Sequence, residues 1–218
     1  IYDELVQLRR TQAEKLGYPS FVELAYKRMG RTDYDREDVA RYRAAVRDHV
    51  VPLCTKLREH QRQALGVDKL MAWDYPVQDP EGRPRPMGDH DWMMDRAREM
   101  FDEMGGDLGP FFRLMADSHL LDLKAREGKA GGGFCTSFPS YGVPYIFANF
   151  NGTKGDVEVF THEVGHAFQG WSSRDKAVVD YVWPSSEAAE VHSMSLEFLT
   201  WPHMDKFFGE DGERFRRV

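Results

Sequence analysis

Only two cysteines, Cys54 and Cys135, occur in 218 residues, and they stand far apart with no CxxC pair. Neither a disulfide framework nor a cysteine zinc ribbon is available, and a reducing, cytoplasmic setting suits such a chain. Long apolar runs are missing too. No stretch approaches the roughly 20 residues that a membrane-spanning helix needs, and residues 1–17 are too charged for a signal peptide, so a soluble protein with no membrane partner is expected. Positive charge is in deficit: 29 Lys and Arg against 36 Asp and Glu leave a net charge of −7. With no basic block for phosphates to run along, no nucleic-acid partner is expected. Internal repeats are absent as well. The chain opens on Ile1 in the middle of an amphipathic pattern and closes on Val218 without a terminal signal, which predicts a partial chain.

What remains is enough for one sizeable domain, with 41% hydrophobic residues. The first part reads as helices, because apolar residues recur at helical spacing and Gly or Pro closes each run. Residues 1–16 end at Gly17, and residues 20–29 end at Gly30. A longer pattern starts near Asp35, passes Val39, Tyr42, Val46, Val50, Leu53 and Leu57, and stops at Gly66. Pro52 should kink it. The proline-rich segment 76–88 is a surface loop, and helices resume at 91–104 and 110–120.

Character then changes. After the glycine-rich stretch 126–133, read as flexible, two short aromatic runs at 134–138 and 145–150 flank a Pro/Gly segment and predict a β-hairpin. Helices over roughly 156–170 and 185–201 follow, the first with Thr153 or Asp156 as N-cap. The fold class expected is mainly α, with a small antiparallel hairpin or sheet before the first of these helices.

His162-Glu163-Val164-Gly165-His166 is an HExxH segment. Positions i and i+4 share a helix face, so both imidazoles can reach one metal ion while Glu163 stands beside it, facing the metal's water. A catalytic zinc also needs a third protein ligand and an open position. The next helix offers Glu187, Glu190 and Glu197, and periodicity cannot choose among them.

Four segments carry a closer likeness: 131–136 (GGGFCT), 150–153 (FNGT), 161–169 (THEVGHAFQ) and 185–198 (SSEAAEVHSMSLEF). Together they resemble the catalytic core of the thimet-oligopeptidase-like zinc peptidases of the oligoendopeptidase F type, over roughly residues 120–208. The resemblance implies a zinc-dependent endopeptidase for short peptides in a helical catalytic domain, with one zinc ion per chain held by His162, His166 and Glu190. Glu190 opens the E-x-x-S-x-x-L-E pattern of that family and Glu197 closes it. Glu163 would be the general base for attack of a zinc-bound water. On this reading residues 1–218 form a single catalytic domain, 1–120 its helical part and 121–218 its zinc-site part. The family's oxyanion-binding histidine and tyrosines would lie further along, in a missing downstream segment needed to complete the site, which predicts that the chain alone turns over poorly.

Other residues have plainer readings. His192 lies two positions after Glu190, on another face, and stays outside the metal set. His49, His60, His90, His119 and His203 sit among charged helix positions and read as surface groups. Cys135 reads as a small apolar strand residue rather than a nucleophile, and Tyr141 and Tyr145 as hairpin packing. No substrate-binding residue is singled out. Two other classes compete: a helical binding or scaffold domain with a non-catalytic metal site, and a different zinc hydrolase sharing the helix pair.

Overall fold

In the computed structural model, residues 1–217 are described. The chain divides into two compact units, residues 1–71 and residues 72 onward.

The first unit holds α1 (Tyr2–Lys15), α2 (Phe21–Arg28), α3 (Arg36–Ala45) and α4 (Val51–Leu65). Asp35 starts α3 with a capping box: its carboxylate accepts the Glu37 and Asp38 amides at 2.9 and 3.0 Å, while Asp38 accepts the Asp35 amide at 2.9 Å. The predicted Pro52 kink takes a specific form, a π-helical turn over Val46–Val50 that joins α3 to α4. Proline cannot donate to the carbonyl four residues back and its ring crowds that carbonyl, so the turn widens just before it, with the Val51 amide reaching back to Val46. Gly66 ends α4 in the left-handed region, at φ 65°. Very little is buried within this unit: Ala13 and Leu24 are its buried hydrophobics, while Leu5, Val6, Leu8, Leu53 and Leu57 are exposed.

The second unit contains α5 (His90–Met104), α6 (Leu108–Asp117), β1 (Leu121–Lys124), β2 (Phe134–Phe138), β3 (Val143–Phe150), α7 (Lys154–Ser173), α8 (Ser186–Thr200), and the short α9 (Asp205–Phe208) and α10 (Gly212–Phe215). The predicted hairpin is present, with β2 antiparallel to β3 and Phe134 opposite Phe147. Unpredicted is β1, which pairs parallel to β3 on its other side and makes the sheet mixed, in the order β1-β3-β2. The helix read over 110–120 ends at Asp117, and His119, at φ 56°, turns the chain into the strand. Four residues are too few to declare a strand by alternation, so β1, just past the end of the helical pattern, carried no signal of its own.

The core forms where α7 and the α5–α6 pair meet the sheet. Phe101, Phe111, Phe112, Met115, Ile146, Val157, Phe160 and Val164 are buried in one cluster, with Phe112 edge-on to Phe160 at 5.5 Å. Two anchors fix the entry to the site. Asp156, at the third position of α7, accepts the amides of Asn151, Gly152 and Thr153, and Thr153 is the N-cap. The glycine-rich stretch read as flexible is tied down. The Lys129 ammonium, 2% exposed, donates to the carbonyls of Asp122, Lys124 and Ala148 and to the Asp122 carboxylate, and the Asn149 amide donates to Ala130 and Gly132.

Candidate metal centre

The HExxH segment lies in the middle of α7, where Val157, Phe160, Val164 and Ala167 bury one face of the helix and leave the histidines on another. The His162 and His166 Nε2 atoms are 3.2 Å apart. The carboxylate comes from α8. Gly165 lets the two helices close: a Cβ there would stand 2.6 Å from the Ser193 Cα and 3.0 Å from the His192 carbonyl oxygen, a clash with backbone that cannot yield. Glu190 Oε2 thereby reaches 3.2 Å from His162 Nε2 and 3.6 Å from His166 Nε2.

These three atoms suit a metal ion better than each other. Two imidazole nitrogens facing each other at 3.2 Å can share at most one proton. Ligands at about 2.0–2.1 Å in a tetrahedral zinc site stand about 3.3 Å apart, close to the separations found here. Among the described residues no other group of three His, Cys, Asp or Glu side chains converges in this way.

The surroundings favour the ligating forms. His162 Nδ1 lies 2.7 Å from Glu197 Oε1, so the ring donates there and its Nε2 lone pair faces the cluster. Burial, then the neighbouring His162, hold the His166 pKa below its ordinary value, which keeps that ring neutral. Ser193 Oγ donates to Glu190 Oε2 at 2.9 Å.

Glu163 is brought beside the cluster without joining it. Burial raises its carboxyl above the usual carboxylate range, with His162 opposing, Glu190 adding to the rise, and the Cys135 backbone amide opposing. Burial, and then the nearby Glu163 charge, push the Cys135 thiol up to about 12. It stays protonated at neutral pH, which argues against a nucleophile. Glu187 does not enter the cluster, and His192 is exposed. Tyr141 is exposed at the hairpin tip, and Tyr145 packs against Phe138. The sequence reading passed over Gly165 and Ser193. Gly165 stands at a variable position of HExxH and Ser193 is the serine of the E-x-x-S-x-x-L-E pattern, but only the helix crossing gives either a role.

The model of peptidase family M3 matches residues 99–214. Among solved structures, one assigned as oligoendopeptidase F is 52% identical, with a TM-score of 0.95 over 99% of this chain. PZ peptidase A, solved with an inhibitor, is 49% identical with a TM-score of 0.95 over 99% of this chain. A Bacillus anthracis structure assigned as oligoendopeptidase F is 50% identical with a TM-score of 0.94, again over 99%. The chain spans 38%, 38% and 40% of the lengths of these three structures. No curated protein matches it.

Proposed function

The chain belongs to peptidase family M3, and on that premise we propose that it supplies the zinc site of an endopeptidase acting on short peptides. The observation that carries this reading is the convergence of His162 Nε2, His166 Nε2 and Glu190 Oε2, with the Glu163 carboxylate beside them. His162, His166 and Glu190 would hold one zinc ion. A zinc ion bound there supplies Lewis acidity, lowering the pKa of a water to about 7 and polarising the scissile carbonyl.

The remaining steps belong to the chain's own side chains. Glu163 accepts the proton of the attacking water on a carboxylate oxygen and returns it to the nitrogen of the leaving amine. A carboxyl raised by burial is suited to both transfers, since its affinity for the proton lies nearer that of the groups it serves. Glu197 holds the His162 ring in its ligating tautomer. β2 is an edge strand, and an extended peptide adding to that edge would be held by main-chain hydrogen bonds with little demand on its sequence.

Residues 1–218 are read as one catalytic region, with the zinc-site part from residue 121. Oxyanion donors are assigned to a downstream segment of an enzyme of the relatives' length. A cytoplasmic setting is part of the same reading, consistent with two free cysteines. No described helix is long and apolar enough to cross a membrane.

The test is metal analysis of the full natural polypeptide containing this chain, with quenched fluorescent peptides turned over before and after chelation. The expected result is one zinc per chain, activity lost on chelation and regained with zinc, and both lost in His162→Ala. Turnover that survives complete chelation overturns the reading. Zinc without turnover of any peptide returns the non-catalytic scaffold.

A further inference from the structure

Ser193 stands where α7 and α8 cross, fully buried, with Gly165 giving way to its Cα. Packing at that point asks for a small residue, and alanine would meet the demand as well as serine. The hydroxyl is what packing leaves unexplained. It has two acceptors, both on Glu190: the carboxylate Oε2 at 2.9 Å and the main-chain carbonyl at 3.1 Å. A helical serine often returns its proton to a carbonyl about one turn earlier, but here the shorter contact is to the carboxylate.

Oε2 is also the oxygen that faces both histidines. The Glu190 side chain is 54% exposed, so little packing restrains it, and fixing it on a metal costs rotamer entropy. Resting on the zinc reading of His162, His166 and Glu190, we propose that Ser193 is a positioning residue of the metal site, whose hydroxyl tethers Glu190 Oε2 to its own helix and holds that oxygen ready for the ion. The glutamate then meets the metal with part of its ordering already done, a contribution of the kind that outer hydrogen-bond partners of metal ligands make.

Ser193→Ala in the full natural polypeptide removes the hydroxyl and keeps the size. Zinc affinity, read by competition with a chelator, is expected to fall about 10- to 100-fold. The thermal midpoint of the metal-free protein should stay within about 2 °C. The same substitution in a Glu190→Ala background should change zinc affinity less than about twofold, because the carboxylate it positions is gone. This double-mutant comparison also decides the case if Ser193→Ala lowers the midpoint, since a packing loss persists without Glu190. A wild-type protein that binds no zinc, or a His162→Ala variant that binds it equally well, brings down the metal site and this inference together. Zinc held through His162 with Ser193→Ala within twofold of wild type brings down the inference alone, as does an equal loss in both backgrounds.

Discussion

The two units contrast in what their helices bury. In residues 1–71 apolar residues recur at helical spacing, yet Ala13 and Leu24 are the buried hydrophobics within the unit. In the second unit comparable helices close over Phe101, Phe111, Phe112 and Phe160, and a buried Glu163 and His166 lie at the edge of that core. Periodicity names the face that a helix would bury and says nothing of what covers it. An environment that raises a carboxyl by burial is available only where a core exists, so the candidate chemistry and the packing fall in the same unit.

The largest expected effect tests whether chemistry is confined in this way. Glu163→Gln keeps shape and hydrogen bonding but cannot accept the proton, so peptide turnover in the full natural polypeptide should fall by about 10²- to 10⁴-fold with zinc content unchanged. Glu23→Gln, on α2 of the first unit, should leave turnover within about twofold, because Glu23 has no part in the cluster of His162, His166 and Glu190. Equal losses from both would erase the contrast.

Packing should differ almost as much. Phe112→Ala removes a ring with no exposed surface and should cost about 3–5 kcal/mol in denaturant unfolding. Leu57 is 60% exposed within its unit, so Leu57→Ala should cost about 0.5 kcal/mol or less. A cost above about 2 kcal/mol for Leu57→Ala would show that the first unit buries that face against something else.

Glycines sharpen the comparison at a single methyl group. Gly165→Ala drives a Cβ into the Ser193 backbone, which should cost about 1–3 kcal/mol and weaken zinc binding by parting α7 from α8. Gly66→Ala meets nothing within 4 Å and carries only the strain of a left-handed residue, about 1 kcal/mol, with zinc affinity unchanged. Chelator competition on the two variants separates them.

Much of the fold, and the side chains that the candidate site brings together, were legible in the sequence. Helix starts and stops followed local chemistry such as the Asp35 cap and Gly66, and the HExxH spacing put His162 and His166 on one face without any tertiary knowledge. Choosing Glu190 over Glu187 and Glu197 took a family pattern, because three glutamates on one helix look alike until a crossing helix selects one. The crossing depends on Gly165 against Ser193, a contact between residues 28 positions apart that no local signal announces. β1 was hidden for a related reason: four residues become a strand only because β3 lies alongside. The anchoring of the 126–133 loop by Lys129 is likewise a long-range event, since one of its acceptors, Ala148, is 19 residues away.

The smallest expected effect compares two carboxylates that look alike by pKa. Arg62, then Gln63, hold Glu59 of the first unit down at about 2, and Arg126, then Lys129, hold Asp122 of the second unit at about 2. Both lie below their unfolded values near 4, so any stability each contributes is complete above about pH 4–5 and is lost as the pH falls through about 2. The surroundings differ, however. Glu59 and Arg62 meet on an open helix surface, where salt screens the pair and its net worth is small. Asp122 shares the buried Lys129 ammonium with three backbone carbonyls, so removing its charge disturbs a group that water cannot reach. Asp122→Asn should therefore cost about 1 kcal/mol at pH 7, with the difference from wild type closing as the pH approaches 2. Carboxyl titrations followed by NMR at low and at 1 M salt separate the pair: Glu59 should move back toward its ordinary value in high salt, and Asp122 should stay low. Equal salt sensitivity at the two sites would mean that Lys129 is hydrated, and the anchoring of the glycine-rich loop would then rest on Asn149 and the strand pairing alone.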